Sequence, residues 1–139
     1  SRAGSMDVAV LAAAVADFRP AHPATAKLRR ADGPPELVLE PTPDILAGVA
    51  AMQPRPFLVG FAAETGPVEG AIPKAKSKGV DLLVANDVTA AGSGFGTDTN
   101  QVALILPNGS VEAWEGLAKR RVAARLWERI AELRSRGTP

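Results

Sequence analysis

The chain has 139 residues, 46% hydrophobic and 22% charged, with a formal net charge of +1 and no cysteine. That length suits one domain with a real core, and the near-balance of charge gives no whole-molecule field to draw nucleic acid or an anionic membrane. Without cysteine there is no disulfide framework, thiolate nucleophile or cysteine-held metal, and no apolar run nears the ~20 residues of a membrane span.

The first residues, SRAGSMDVAV, lack the charged-then-apolar layout of a signal peptide, so a reducing, cytoplasmic setting is expected. Asp7 to Ala14 is a continuous apolar run, the pattern of a strand covered on both faces. It begins so near Ser1 that the chain reads as the C-terminal part of a larger domain. Residues 20–35, rich in proline, read as a long loop carrying AKLRR, and ELVLEP (36–41) as a short strand. Thr42 is placed to cap a helix with Pro43 at its first position.

PFLVGFAAE (56–64) is the next buried strand. A helix over Val68 to Lys78 is expected to begin late, because Pro73 is tolerated only near a helix start, and Gly79 closes it. VDLLVAND (80–87) is a third buried strand, and VTAAGSGFGTDTNQ a glycine-rich loop. VALILP and SVEAWE form a hairpin around Asn108-Gly109. A long amphipathic helix runs from Leu117 to Arg134, with Leu117, Val122, Leu126, Ile130 and Leu133 on one side.

Strands alternating with helices predict an α/β, Rossmann-like three-layer sandwich, with a mainly parallel sheet finished by an antiparallel hairpin. Ligands of such sheets bind beyond the carboxyl ends of the strands, where AAAVADFRP, GFAAET and VAND converge. Asp17 there is as readily a turn cap, or a partner for Arg19, as a ligand-binding acid. Lys27, Arg29 and Arg30 form either a solvated basic turn or a flap over phosphates. PTPDIL offers amide groups at a helix start, a weak anion signal. Lys74 and Lys78, four apart on one helix face, repel each other unless an acid or a bound anion compensates. GSGFG lacks dinucleotide-loop spacing. His22, the lone histidine, reads as solvated, and Trp114 and Trp127 as core or interface residues.

Taken in order, AAAVADFRP, AKLRR, PDIL, VGFAAET, the lysine pair before KGVDLLVAND, and FGTDTNQVALI resemble phosphopantothenate–cysteine ligase. This is the synthetase domain of the bacterial bifunctional coenzyme A biosynthesis protein, and the resemblance runs from about Asp7 to the final helix. It implies that CTP, with Mg²⁺ present, activates the carboxylate of 4′-phosphopantothenate as an acyl-cytidylate, releasing pyrophosphate. Cysteine's amine then displaces CMP. Carried across by position, Leu11, Ala12, Ala13, Asp17, Lys27, Pro43, Asp44, Ile45, Leu46, Phe61, Lys74 and Lys78 match nucleotide-binding positions. Lys27 is the catalytic flap lysine, Ala14 and Arg29 are substrate-binding, and no metal ligand is assigned.

The resemblance also implies a homodimer, with roughly Asn86 to Trp114 reaching across to the partner, and a possible fused or associated decarboxylase domain. Arg29 and Arg30 stand where the family usually has lysines, which keeps the charge but changes the hydrogen-bonding geometry. The family's upstream half is not represented, so these residues alone are expected to have little or no ligase activity. The competing expectations are a non-catalytic nucleotide-binding or regulatory module and a dinucleotide binder.

Overall fold

A computed structural model of the chain describes residues 3–89 and 98–136. Seven strands and three α-helices are described: β1 (Val8–Leu11), β2 (Phe18–Pro20), β3 (Leu39–Pro41), α1 (Ile45–Ala50), β4 (Phe57–Glu64), α2 (Ile72–Ser77), β5 (Leu82–Asp87), β6 (Thr99–Ile105), β7 (Val111–Ala118) and α3 (Lys119–Ser135). One five-stranded sheet has the order β1-β4-β5-β6-β7, and β2 and β3 form a separate ribbon. β1, β4 and β5 run parallel, whereas β6 and β7 are antiparallel to their neighbours. The expected α/β sandwich with a terminal hairpin is what forms.

Successive side chains of a strand point to opposite faces, and the Leu/Val runs of β4 and β5 use both. Val59, Leu82, Val84, Val102, Leu104 and Trp114 pack against Val122, Leu126 and Ile130 of α3. Leu58, Leu83 and Ala85 pack on the other side with Val80, Ala71 and Ala75. A helix therefore covers each face of the central strands, and the core lies in two slabs. Gly60 allows α1 its close approach: a Cβ there would stand 3.2 Å from Leu46 Cδ2 and 3.2 Å from Leu83 Cδ1.

At the amino ends of the parallel strands, Asp81 joins β4 to β5. Arg55 Nη2 donates to its Oδ1 at 2.8 Å, Arg55 Nη1 donates to Oδ2, and the Leu58 amide also donates to Oδ2 at 2.7 Å. The Asp81 side chain is only 9% exposed.

Several expected boundaries move, each for a local reason. β1 spans only Val8–Leu11, lies at the edge of the sheet and is half-buried, because no described strand pairs with its outer flank. Its continuous apolar run therefore does not mean cover on both faces here. Residues 18–20, for which no strand was expected, pair with 39–41 as a ribbon, so the strand expected over 36–41 shrinks to its last three residues.

Thr42 does not cap α1. Asp44 does, its Oδ1 accepting the Ala47 amide at 2.9 Å, and Pro43 lies outside the helix. The second helix opens as a 3₁₀ turn over Val68–Ala71 and turns α-helical only with Pro73 in its first turn, followed by Gly79 at φ 63°. Gly109, at φ 88°, forms the hairpin turn with Asn108, whose Oδ1 accepts the Ser110 amide at 2.9 Å. Leu117 belongs to β7 rather than to the last helix. Trp114 is core at 2% exposure, whereas Trp127 is 56% exposed. The glycine-rich loop lies mostly outside the described residues.

Candidate functional site

Beyond the carboxyl ends of β1 and β4, the chain turns away from the sheet into the ribbon and returns to start α1. The space between these turns is a cavity of about 710 Å³. Leu11, Ala12, Ala13 and Asp17 line it from the β1 side, and Pro43, Asp44, Ile45 and Leu46 from the start of α1. Phe61, 38% exposed, comes from β4, and Lys78 from the end of α2.

The ribbon is fastened at this rim. The Thr42 amide donates to the Asp17 carbonyl at 2.8 Å, and the Thr42 hydroxyl donates to the Ala16 carbonyl. Within the ribbon, Arg19 Nε donates to Glu40 Oε1 at 2.7 Å. Arg19 thus pairs with Glu40 and not with Asp17, which lines the cavity.

Asp44 serves two partners. Its Oδ1 caps α1 and its Oδ2 accepts Lys78 Nζ. The anion at the start of this six-residue helix is therefore the chain's own carboxylate. The Ala47 amide and the Lys78 ammonium hold the Asp44 carboxyl below its ordinary value of 3.8. The same hydrogen bond, with smaller help from Asp17, raises Lys78 above 10.5. A depressed acid contributes stability above its ordinary value and loses it as pH falls through the lower folded value. A raised base contributes below its ordinary value and loses it as pH climbs through the higher one. The pair therefore supports the site across the whole range between acid and strong alkali.

Because asparagine is as good an N-cap as aspartate, Asp44→Asn is expected to keep the cap at neutral pH and to lose only the small contribution of the exposed Lys78 pair. Asp44→Ala should cost about 1 kcal/mol of cap energy, and urea unfolding of both variants at neutral pH separates cap from charge.

Four of the residues singled out from the sequence as nucleotide- or substrate-contacting, Lys27, Arg29, Lys74 and Ala14, lie outside this cavity. Lys27 and Arg29 are exposed on the loop between β2 and β3. Lys74 Nζ donates to Glu64 Oε1 at 2.7 Å and does not line the cavity, so Lys74, Phe61 and Asp17 do not share one pocket. The repulsion between Lys74 and Lys78 is met by two acids, Glu64 and Asp44.

Ala14 lines a second, smaller cavity of about 220 Å³, with Asn86, Asn100 and Lys119 at its polar side. Asn100 lies within the FGTDTNQVALI motif but was given no site role from the sequence, and Lys119 was not singled out. The register of the hairpin, which sets Thr99 opposite Ala118, is what brings them to the same edge as Asn86. Among the described residues no group of three or more His, Asp or Glu is placed to hold a metal ion. No helix among them is long and apolar enough to cross a membrane.

A three-layer α/β domain with cavities beyond the carboxyl ends of its parallel strands has the architecture of domains that bind ligands at a strand-end crevice. The chain belongs to the DNA/pantothenate metabolism flavoprotein C-terminal domain family, whose model matches residues 1–133. It is 45% identical over 113 residues to the coenzyme A biosynthesis bifunctional protein CoaBC of Vibrio vulnificus (strain YJ016), covering 78% of this chain and 28% of that protein.

To CoaBC of Bacillus subtilis (strain 168) it is 40% identical over 128 residues, covering 91% of this chain and 32% of the relative. The crystal structure of the C-terminal domain of a CoaBC protein superposes with a TM-score of 0.72 at 35% identity, over 96% of this chain and 60% of that one. The chain thus spans about a third of the curated relatives it matches, and the kinship assigns it to a coenzyme A biosynthesis enzyme family.

Proposed function

We propose that the chain is the C-terminal part of a cytoplasmic phosphopantothenate–cysteine ligase domain, joined in its parent protein to a decarboxylase domain. The observation that carries this reading is the large cavity. It gathers every residue matched to nucleotide binding except Lys27 and Lys74. Its wall offers the Phe61 ring for a base or ribose face, the Asp17 carboxylate as an acceptor for hydroxyls, and the Lys78 ammonium.

The charge of the lining constrains how a nucleotide sits. Two carboxylates, Asp17 and Asp44, stand against one ammonium, so the cavity suits a nucleoside better than a triphosphate. The phosphates then need cations from outside the wall, and the ribbon loop rooted at the rim carries Lys27, Arg29 and Arg30. Among the described residues there is no preformed cage for Mg²⁺. The ion would be held chiefly by phosphate oxygens and water, with Asp17 the carboxylate left without a hydrogen-bond donor, and it neutralises phosphate charge when bound.

In the proposed reaction the carboxylate of 4′-phosphopantothenate attacks the α-phosphorus of CTP and pyrophosphate leaves. The resulting acyl-cytidylate has the leaving group a free carboxylate lacks. Cysteine's amine then takes the acyl group, and no protein nucleophile is required.

The test uses the full-length protein. Pyrophosphate should appear on mixing CTP, Mg²⁺ and 4′-phosphopantothenate, and calorimetry should show CTP bound. Asp17→Asn should weaken CTP binding on the order of tenfold, as loss of a charge-assisted hydrogen bond does, with the melting temperature unchanged. Unchanged binding with a lowered melting temperature would make Asp17 a cap and remove it from the site.

A further inference from the structure

The ribbon carries the loop of Lys27, Arg29 and Arg30, yet neither core slab contains any of its residues. Its pairing starts at the rim with the bond from the Thr42 amide to the Asp17 carbonyl. It runs through Phe18–Pro41, Arg19–Glu40 and Pro20–Leu39 and ends with the Ala21 amide donating to the Val38 carbonyl at 2.9 Å. Phe18, Arg19 and Leu39 are all exposed. A two-stranded ribbon is marginally stable by itself, so its direction has to be set where it joins the domain. With about 3.3 Å of rise per residue its far end lies ~13 Å from the rim, and a twist of ~15° at the base would carry that end ~3 Å.

Thr42 is the joint. It stands between Pro41 and Pro43. The ring of Pro41 fixes the backbone on one side, and Pro43 confines Thr42 itself to extended conformations. Its branched side chain then has few χ1 choices, so the hydroxyl is aimed before any contact forms. The amide bond to the Asp17 carbonyl is open to any residue but proline, whereas the hydroxyl bond to the Ala16 carbonyl requires threonine or serine. Both acceptors belong to the turn that leaves β1, and Ala16, Asp17 and Thr42 all line the large cavity.

We propose that Thr42 is a positioning residue for the reaction. Under the ligase reading on which this rests, its hydroxyl sets the angle at which the ribbon leaves the rim, and so where Lys27 meets the phosphates of a nucleotide seated in the cavity. The hydroxyl has no duty to α1, because Asp44 caps that helix. Its one hydrogen bond ties the returning strand of the ribbon to the chain that lines the opposite wall. Loss of that bond leaves the wall residues in place and frees the base of the ribbon to twist.

A double-mutant cycle on the full-length protein tests this, read as pyrophosphate release from CTP and 4′-phosphopantothenate with Mg²⁺. Thr42→Val keeps the side-chain shape and the amide bond and loses only the hydroxyl. It should slow release on the order of tenfold, since displacing a group by about 1 Å can cost up to a hundredfold. Thr42→Ser should restore most of the rate. In a Lys27→Gln background, Thr42→Val should cost less than about twofold more, because the two changes act on one group. Cytidine, which has no phosphate, should bind wild type and Thr42→Val equally by calorimetry, and the melting temperature should not move. Wild-type release in Thr42→Val overturns the proposal. So does an undiminished loss in the Lys27→Gln background, which would make the effect independent of the loop. Weakened cytidine binding also overturns it, by making Thr42 part of the nucleoside wall. If the wild-type protein itself releases no pyrophosphate, the ligase reading fails, and the joint's role with it.

Discussion

Lys27→Gln in the full-length protein is expected to reduce the proposed ligation by about 10²- to 10³-fold, the scale of losing one preorganised donor to developing charge. The fold should be untouched. Lys27 is exposed on the loop between β2 and β3 and belongs to neither core slab. Its reach depends on the ribbon, which Thr42 and Asp17 fasten at the cavity rim. Since the cavity wall holds an excess of negative charge, the cations that meet a triphosphate must come from that loop or with the nucleotide. Pyrophosphate release followed against time, beside a circular dichroism spectrum, checks both halves. Turnover near wild type with Lys27 gone would take the loop out of the mechanism.

Asp81→Ala should be the most damaging of these substitutions for folding, costing about 2–4 kcal/mol. Breaking a largely buried ion pair leaves its partner uncompensated, and here the Leu58 amide also loses its acceptor. The cost falls short of a fully buried pair because the Arg55 side chain is 31% exposed. Asp81→Asn keeps one acceptor and should cost less. Arg19→Ala, which breaks an ion pair 60% and 42% exposed, should change stability by under about 1 kcal/mol. Urea unfolding followed by the fluorescence of buried Trp114 measures all three, and equal losses for Asp81 and Arg19 would refute the clamp.

Much of this architecture can be read from the chain because β4, β5 and the hairpin are written in local terms. Long Leu/Val runs bounded by Gly79 and Asn108-Gly109 leave few alternatives. The ribbon is not legible, since Phe18–Pro20 has no period and its pairing with Leu39–Pro41 closes over a long proline-rich loop. The helix start is also misread by one short step. Thr42 looks like the cap in the sequence, but its hydroxyl donates to the Ala16 carbonyl and Asp44 caps the helix instead.

The same limit applies at the candidate site. Residues contiguous with strand ends, such as Leu11–Ala13 and Pro43–Leu46, are found from the sequence. That Asn100 and Lys119 reach the same edge as Asn86 is not, because their convergence depends on hairpin register. The partner acids of the lysines were open in the sequence, and Glu64 and Asp44 resolve them in favour of internal pairing.

The flank of β1 that no described strand covers has a practical consequence. A strand edge offers amide and carbonyl groups to any extended segment regardless of its side chains, and exposed Phe18, Leu37 and Val38 lie on the neighbouring ribbon or its approach. Self-association of these residues in isolation thus has a sequence-blind source, separate from any specific pairing of subunits. Lysine in place of Val10, already 37% exposed, would discourage stacking along that flank and leave behind only the contacts that selection shaped.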